Sequence, residues 1–199
     1  MTELKWFNLW SVSGVVIEDP GLKKHIDLKS VLVPRNFGRN SNQRFAKSKS
    51  TIIERLMNKL MVTGHKGKKH YRTSGHITGK GMHVYNLVKE ALIIIERETK
   101  QNPVQVFIKA LENAAPREEI TTIEYGGARY PQAVDCAPQR RIDIALRQMT
   151  QGAYSKSFGK KKGITNALAE EIMKAYNIDQ TSQAISKKLE LERQADSSR

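Results

Sequence analysis

Two stretches of this sequence carry side chains suited to binding phosphate groups. Residues 34–50, PRNFGRNSNQRFAKSKS, are rich in lysine and arginine and contain no aspartate or glutamate. Residues 64–81, GHKGKKHYRTSGHITGKG, are dominated by glycine, lysine and histidine, and Glu54 is the only acidic residue between Asp27 and Glu90. Basic segments without carboxylates attract polyanions, and many become ordered only along a phosphate backbone. We expect the first stretch to contact RNA and the second to form a basic loop.

The second stretch does not fit the two sharper chemistries that its residue types suggest. A phosphate-binding loop has four residues between its glycines and a lysine followed by serine or threonine. Gly75 and Gly79 have three residues between them, and Lys80 is followed by Gly81. No cysteine accompanies the histidines of this region, and their spacing matches no zinc module. These histidines are His65, His70, His76 and His83. We predict no nucleotide-binding loop, no metal site and no cofactor.

Catalytic groups are scarce where the positive charge is densest. An enzyme that acts on RNA through metal ions needs clustered acids, and the basic half of the chain lacks them. Asp135 and Asp143 flank a basic helical segment, where each is expected to pair with arginine or to cap the helix. Cys136 has no triad pattern around it, and a cysteine of this kind is usually a small packed residue. We predict that the protein is not an enzyme.

The composition of the whole chain agrees with a polyanionic partner. The 199 residues include 34 Lys and Arg against 20 Asp and Glu, which gives a net charge of +14. Nucleic acid or an anionic membrane surface would attract such a chain. No apolar run approaches the roughly 20 residues of a membrane span, and the N-terminus does not resemble a signal peptide. The single cysteine excludes an internal disulfide and suits the cytoplasm.

Residues 121–153 predict a β-hairpin that runs directly into an amphipathic helix. β-branched residues alternate up to Tyr125, Gly126-Gly127 suit a tight turn with positive φ, and residues 128–134 form the return strand. Pro131 cannot donate to a sheet ladder, which places it on an exposed edge. An isolated two-stranded ribbon is poorly stable, so we expect a polyanion to hold this arm.

Helical periodicity covers most of the sequence after residue 50. Thr51 and Glu54 have the form of a capping box at the first helix. Glu170 and Glu171 are expected on the solvent side of a later helix. We predict six helices. Three of them are predicted to span residues 82–100, 103–115 and 164–176. The other three are predicted to begin at residue 51, at residue 138 and at residue 181 or 182.

The N-terminal residues are predicted to form a separate extension. We divide the chain into residues 1–50, with short strands near residues 12–17, and a single helical domain at residues 51–199. Trp6 and Trp10 are expected to pack the extension onto the body. Phe37 and Phe45 either stack on bases or anchor the basic segment, and anchoring is the expected role. The fold class is mainly α, a bundle of about six helices with a protruding two-stranded β-hairpin arm at about residues 119–136 and a basic N-terminal extension.

The hairpin and the helix after it carry a specific resemblance to a known family. The order runs Gly126-Gly127-Ala128-Arg129-Tyr130, residues 131–135, Pro138, Arg140-Arg141 and Ala145-Leu146-Arg147. It resembles the signature of small-subunit ribosomal protein seven, in which a Gly-Gly turn with an aromatic precedes an alternating strand, Pro-x-Arg-Arg and a helix with an Ala-Leu pair before Arg. Residues 113–119, NAAPREE, and Leu60-Met61 before a Gly-Lys loop match as well.

The resemblance is to the archaeal type of this family, with some likeness to eukaryotic cytosolic members. It covers the chain from about residue 51 to the C-terminus, with weaker support from the basic segment before it. The N-terminal extension and the long loop at residues 64–81 exceed the compact bacterial form. Gln148 stands where bacterial members often carry tryptophan.

The resemblance implies a structural constituent of the small ribosomal subunit, located on the cytoplasmic ribosome. It implies a primary rRNA-binding protein that nucleates assembly of the head, the 3′ major domain, with other head and platform proteins as neighbours. The arm is implied to reach towards the E-site tRNA and the mRNA exit path, near the platform protein numbered eleven. No membrane and no small-molecule substrate are implied.

Residue by residue, the resemblance assigns two groups of contacts. The arm tip near tRNA and mRNA comprises Tyr125, Gly126, Gly127, Arg129 and Tyr130. Tyr130 either stacks on a base or packs against its own hairpin. The residues assigned to rRNA are Arg35, Arg39, Arg44, Lys47, Lys49, Lys66, Lys68, Lys69, Arg72, Arg140, Arg141, Arg147, Lys160 and Lys161.

Two other functions fit parts of the sequence. A generic DNA- or RNA-binding protein outside the ribosome is also basic and helical, but it would prefer duplex DNA to folded RNA junctions and needs no Gly-Gly arm. An RNA-modifying enzyme would need the acid cluster and the cofactor loop that the sequence lacks.

Overall fold

The computed structural model describes residues 4–39, 41–66, 69–70 and 76–199, and of residues 65–66 and 69–70 it describes the backbone. The described residues form a mainly helical fold with a two-stranded arm, which confirms the predicted mainly α class and its β-hairpin arm. The helices are α1 (Pro20–Lys23), α2 (Ile52–Leu60), α3 (Gly81–Thr99), α4 (Pro103–Ala114), α5 (Pro138–Ser157), α6 (Ile164–Tyr176) and α7 (Gln183–Asp196). The strands are β1 (His65–Lys66), β2 (Lys69–His70), β3 (Glu118–Tyr125) and β4 (Ala128–Asp135).

The helical body is organised around α6, which packs against α3, α4 and α5. Each of these helices buries the apolar stripe that its sequence period predicts, because residues three and four positions apart share one helix face. Leu87 and Leu111 are among the buried residues of α3 and α4. The start of α4 follows its predicted cap, since the side-chain oxygen of Asn102 accepts a hydrogen bond from the Val104 amide at 3.0 Å.

The N-terminal residues join the same core as the helices. Trp6 and Trp10 are 1% and 5% exposed, which confirms their predicted packing role. The indole nitrogen of Trp10 donates to Glu96 of α3 at 3.0 Å. The prediction of strands near residues 12–17 is wrong, because the Val16 backbone bonds to the side-chain amide of Gln105 at 2.9 and 3.1 Å instead of to a partner strand.

The capping box predicted at Thr51 and Glu54 is wrong. The buried Thr51 hydroxyl has no hydrogen-bond partner within the described part of the chain. Glu54 accepts the backbone N–H of Asn36 at 2.9 Å, because the basic segment folds back over the first turn of α2. The Thr51 and Glu54 pattern therefore predicts the start of α2 correctly, but the hydrogen bonds it predicts for these two side chains are not formed.

Glu171 is fully buried, so its predicted place on the solvent side of α6 is wrong. Its carboxylate receives hydrogen bonds from the Lys156 ammonium at 2.6 Å and the Ser182 hydroxyl at 2.8 Å. Gly152 of α5 leaves room for it, since an added Cβ there would lie 2.8 Å from the Glu171 carboxyl carbon. This group joins α5, α6 and the start of α7.

Strands β3 and β4 form the predicted arm. They pair antiparallel from Glu118 opposite Asp135 to Tyr125 opposite Ala128. Gly126 and Gly127 turn the chain at φ of +59° and +80°, a conformation that a two-residue hairpin turn requires and glycine adopts without strain. The base of the arm is held by the protein itself, because α7 packs along β3.

Candidate nucleic-acid interface

The cationic side chains gather along one side of the α2–α5 pair. Helix α2 lies beside α5, and the basic segment 34–50 runs over both. We call this surface the basic belt. Its exposed or half-exposed members are Arg35, Arg39, Arg44, Lys47, Lys49, Lys59, Arg147, Lys160 and Lys161.

The basic segment is fixed to the helices by its polar side chains. Ser48 lies between the His25 ring, at 3.0 Å from Nδ1, and the side-chain amide of Gln139, which donates to it at 2.5 Å. The Asn36 side chain donates to the hydroxyl of Ser50 at 2.9 Å. The segment therefore has a defined path in the protein alone, although its sequence contains almost no aliphatic residues.

Asp143 of α5 organises the centre of the belt. Its carboxylate oxygens lie 2.8 Å from Lys47, 3.4 Å from Arg55 and 3.7 Å from Lys59. Burial alone would raise the pKa of Asp143, but the three cations together lower it below its usual range. Arg55 is one of these partners, which confirms the prediction that Asp143 pairs with arginine. The carboxylate stays ionised and keeps like charges together.

The positive charge around Asp143 exceeds what one carboxylate neutralises. Burial lowers the pKa of Lys59, and the nearby charges of Arg147, Lys47 and Arg55 lower it further, while Asp143 opposes them. The Nε of Arg55, a residue 5% exposed, has no hydrogen-bond partner within the described residues. A concentration of cations with one counterion favours an incoming phosphate.

The other carboxylate of this region faces inward. Glu54 is 6% exposed, and its burial raises the pKa of the carboxyl group, although the Asn36 amide and Arg35 oppose the shift. The belt therefore presents little negative charge to a ligand. An RNA backbone approaching this surface meets cations with few exposed carboxylates among them.

The far end of the belt is the loop after α5. Lys160 and Lys161 are exposed, whereas Lys162 pairs with Glu170 of α6. The loop lies near the end of α2, since Leu60, Tyr154 and Phe158 line one pocket of about 200 Å³. Since α5 has 20 residues, the belt extends over roughly 30 Å.

Four residues of the predicted rRNA-binding set have no described side chain. Lys68 and Arg72 fall outside the described residues. Lys66 and Lys69 pair with each other across β1 and β2, and only their backbone is described. These positions stay predictions.

Arg140 and Arg141 are neighbours in α5 with different surroundings. Arg140 is exposed and makes two hydrogen bonds to Glu119 at the base of the arm, at 2.5 and 2.6 Å. Arg141 is 9% exposed and donates to the carbonyl of Pro116 at 2.9 Å and to Asp19 at 2.7 Å. The Arg141 guanidinium is occupied inside the protein, which leaves Arg140 as the accessible member of the pair.

The tip of the arm projects into solvent. All residues from 121 to 130 are exposed, and Tyr125 and Tyr130 are 81% and 58% exposed. Arg129 lies 3.4 Å from Glu124 across the turn, and Tyr130 is paired with Ile123. The tip therefore offers two aromatic rings and one cation to a partner.

The described residues contain no cluster of three or more His, Cys, Asp and Glu side chains suited to a metal ion. Burial raises the pKa of the Cys136 thiol to about 11, with nearby Glu119 adding to the effect. This thiol is therefore protonated near neutral pH and is a poor nucleophile. None of the described helices is long and apolar enough to cross a membrane.

Lys59 of the belt and the buried Arg55 beside it were absent from the predicted rRNA-binding residues. A signal for them was available, because Arg55 and Lys59 are four residues apart on α2, and Asp143 and Arg147 are four apart on α5. Such spacing places each pair on one helix face. Which two faces meet depends on contacts distant in sequence, and the pattern alone does not show it.

The fold and the belt define a class of protein, a basic and mainly helical scaffold with one cationic surface and a projecting hairpin. A family model described as ribosomal protein S7p/S5e matches residues 22–199 of the chain. The chain belongs to this family of structural ribosomal proteins, which confirms the resemblance found at the hairpin.

Two archaeal relatives match over almost their whole length, and each is called small ribosomal subunit protein uS7. The relative from Nanoarchaeum equitans is 54% identical over 197 residues, which cover 99% of this chain and 100% of the relative. The relative from Methanosphaera stadtmanae is 47% identical over 191 residues, or 96% of each chain. Both relatives agree with the archaeal type predicted from the sequence.

Proposed function

We propose that the chain is a structural protein of the small ribosomal subunit that binds the 3′ major domain of the rRNA and nucleates assembly of the head. The observation that carries this proposal is the basic belt along α2 and α5 of a member of this family. The belt holds the RNA backbone by neutralising phosphates, and each neutralised phosphate releases a counterion. The partners are the rRNA and the neighbouring head and platform proteins of the cytoplasmic ribosome.

The arm is proposed to act separately from the belt. Its tip, with Tyr125, Arg129 and Tyr130, lies beyond the helical body and suits contact with the E-site tRNA or the mRNA at the exit path. Exposed tyrosines stack on bases, and arginine binds phosphate. The Gly126-Gly127 turn keeps the tip narrow.

Binding of the purified protein to a transcript of the 3′ major domain tests the proposal. The transcript competes with duplex DNA and with an unrelated structured RNA at roughly 0.2–0.3 M salt, where nonspecific phosphate contacts are weakened. The proposal predicts selective retention of the head-domain transcript. Equal binding to all three polyanions, lost together as salt rises, would instead favour a general nucleic-acid-binding protein outside the ribosome.

A further inference from the structure

Two aromatic side chains of the basic segment are exposed. Phe37 is 79% exposed and Phe45 is 56% exposed, so the anchoring role expected from the sequence is wrong. Both residues have positive φ angles, of 53° and 58°, a backbone conformation that bulky side chains rarely adopt. The segment therefore leaves more than half of each large apolar side chain exposed to solvent.

Each ring lies beside an arginine. The guanidinium carbon of Arg35 is 5.1 Å from the ring centroid of Phe37, and that of Arg44 is 5.1 Å from the ring centroid of Phe45. Contacts of this length are cation–π interactions, which hold a cation close to an aromatic platform. The same arrangement of a flat ring and a cation occurs twice within the acid-free segment.

The position of Arg35 depends on Gly81 at the start of α3. A Cβ added at Gly81 would lie 2.6 Å from an Arg35 guanidinium nitrogen. The glycine thus lets the guanidinium lie directly against the helix start, beside Phe37. The space left by the missing Gly81 side chain accommodates the Arg35 guanidinium, and the charge therefore stays near the exposed Phe37 ring.

A polar pocket of about 330 Å³ adjoins Phe37. Pockets for small ligands measure about 300–1,000 Å³. Asn58 and Ser50 contribute hydrogen-bonding groups to its wall, and Lys47 and Arg35 contribute positive charge. Glu54 also lines the pocket, but its carboxylate accepts the Asn36 amide, and the two cations outnumber it. The pocket therefore combines a stacking surface, polar edges and cations within one site.

We propose that Phe37 and Phe45 are stacking platforms for unpaired nucleobases of RNA, with Arg35 and Arg44 binding the adjoining phosphates. The proposal rests on the RNA-binding function proposed above and deepens it, because it specifies unpaired nucleotides as the ligand of this segment. Stacking accepts any base, since every base has a flat face, and it requires a base that is not already stacked in a duplex. The acid-free charge of the segment favours RNA over an apolar protein partner.

The test compares a ten-nucleotide single-stranded RNA with a blunt duplex of the same sequence. Phe37→Leu and Phe45→Leu keep apolar volume and remove the flat ring, and each is expected to lower the affinity for the single strand by roughly ten-fold. Affinity for the duplex and the slope of affinity against salt stay unchanged, because no charge is lost. Val33→Ala, at an exposed apolar residue of the same region, is the control and leaves both affinities unchanged.

Phe37→Trp is the rescue variant and the spectroscopic probe. It restores single-strand binding, and its fluorescence is quenched on binding because the indole stacks on a base, while Trp6 and Trp10 stay buried. The stacking proposal would be overturned if the leucine variants lost equal affinity for the single strand and the duplex, or lost affinity for neither. It would also be overturned if the fluorescence of the Phe37→Trp variant were unquenched at saturation. Loss of selectivity for the 3′ major domain transcript would contradict the proposed function alone, because the comparison of single strand with duplex does not use that transcript.

Discussion

Adjacent residues of the same type have opposite roles in this protein. Glu170 is partly exposed and pairs with Lys162 and Lys174, whereas Glu171 is fully buried and bonds to Lys156 and Ser182. An exposed ion pair contributes about 0–1 kcal/mol, but a buried charged hydrogen bond contributes about 1.5–3 kcal/mol. The position of a carboxylate on its helix thus decides its contribution to stability.

Glu171→Gln is expected to lower the free energy of unfolding by about 2 kcal/mol. The amide keeps the size of the side chain but removes the charge that Lys156 faces at 2.6 Å. Glu170→Gln is the matched control and is expected to cost less than about 1 kcal/mol. Urea unfolding followed by far-UV circular dichroism measures both. Equal losses in the two variants would contradict the assigned roles.

Stability is expected to fall slightly as the pH drops below about 4.5, with less than about 1 kcal/mol lost through Glu170, because solvent weakens this partly exposed pair. Hydrogen bonds from Lys162 and Lys174 lower the pKa of this carboxyl group to about 2, from a usual value of 4.5. A carboxyl group with a lowered pKa in the folded state stabilises the fold above its unfolded pKa, and that contribution is lost as the pH falls through the folded value. Thermal unfolding across this range should show a shallower pH dependence for Glu170→Gln than for the original chain. An unchanged dependence would show that the pair does not form.

The burial of Glu171 was predictable in part from its position in the sequence. It lies three residues after Leu168 and four before Ala175, both on the buried stripe of α6. The charge of glutamate favours a solvent-exposed position, while the helical spacing of Glu171 favours a buried one. The spacing prevails because Lys156 and Ser182, which are distant in sequence, supply partners for the carboxylate.

At the scale of elements, Arg141 connects α5 to two other parts of the chain. Its guanidinium bonds to Asp19, just before α1, and to Pro116, just before β3. Both partners are near the protein interior, so loss of the guanidinium leaves them with incomplete hydrogen bonding. The arginine therefore stabilises the base from which the arm projects.

Arg141→Gln is expected to lower the free energy of unfolding by about 2–3 kcal/mol, because it breaks a charged hydrogen bond in a partly buried site. Arg140→Gln is the control, and it should cost about 1 kcal/mol or less, because the Arg140 side chain is 59% exposed and its charge stays largely solvated. Chemical unfolding measures the two values. A larger loss for Arg140→Gln would contradict the structural role of Arg141.

Gly127→Val is expected to disorder the arm while leaving the helical body intact. Gly127 has φ of +80°, which a β-branched residue adopts only with strain of about 1–3 kcal/mol. Hydrogen exchange of the β3 and β4 amides should accelerate, with helical amides unchanged. Ala128→Val, one residue later and within a strand, serves as the control. Equal protection in both variants would show that the turn does not depend on glycine.

The elements differ in how far the sequence determines them. The long helices and the arm were predicted because their signals lie in neighbouring residues, such as the Asn102 cap and the Gly126-Gly127 turn. The path of the basic segment was not predicted, because it depends on Asn36 meeting Glu54 and on Lys47 meeting Asp143. Contacts of this kind join residues that are distant in sequence, so the periodicity of neighbouring residues does not predict them.

At the scale of the whole molecule, the positive charge is distributed unevenly. The belt gathers cations along α2 and α5, whereas on α6 and α7 Lys174 pairs with Glu170 and Lys187 pairs with Glu190. The belt thus forms a cationic surface on a chain whose net charge is +14. A surface of this kind orients the protein on a polyanion before specific contacts form.

The central claim, that the belt binds the RNA backbone, is tested most directly by the salt dependence of binding to the 3′ major domain transcript. Arg39→Gln and Arg147→Gln each remove one exposed belt cation, and Arg97→Gln removes an exposed cation at the opposite end of α3 from Arg35. In a plot of log affinity against log salt concentration, each belt variant should reduce the steepness of the slope by roughly 0.7–0.9, because one fewer counterion is released. The Arg97 variant should keep the slope of the original chain. Equal slopes in all four proteins, or a reduced slope in the Arg97 variant alone, would contradict the assignment of the belt.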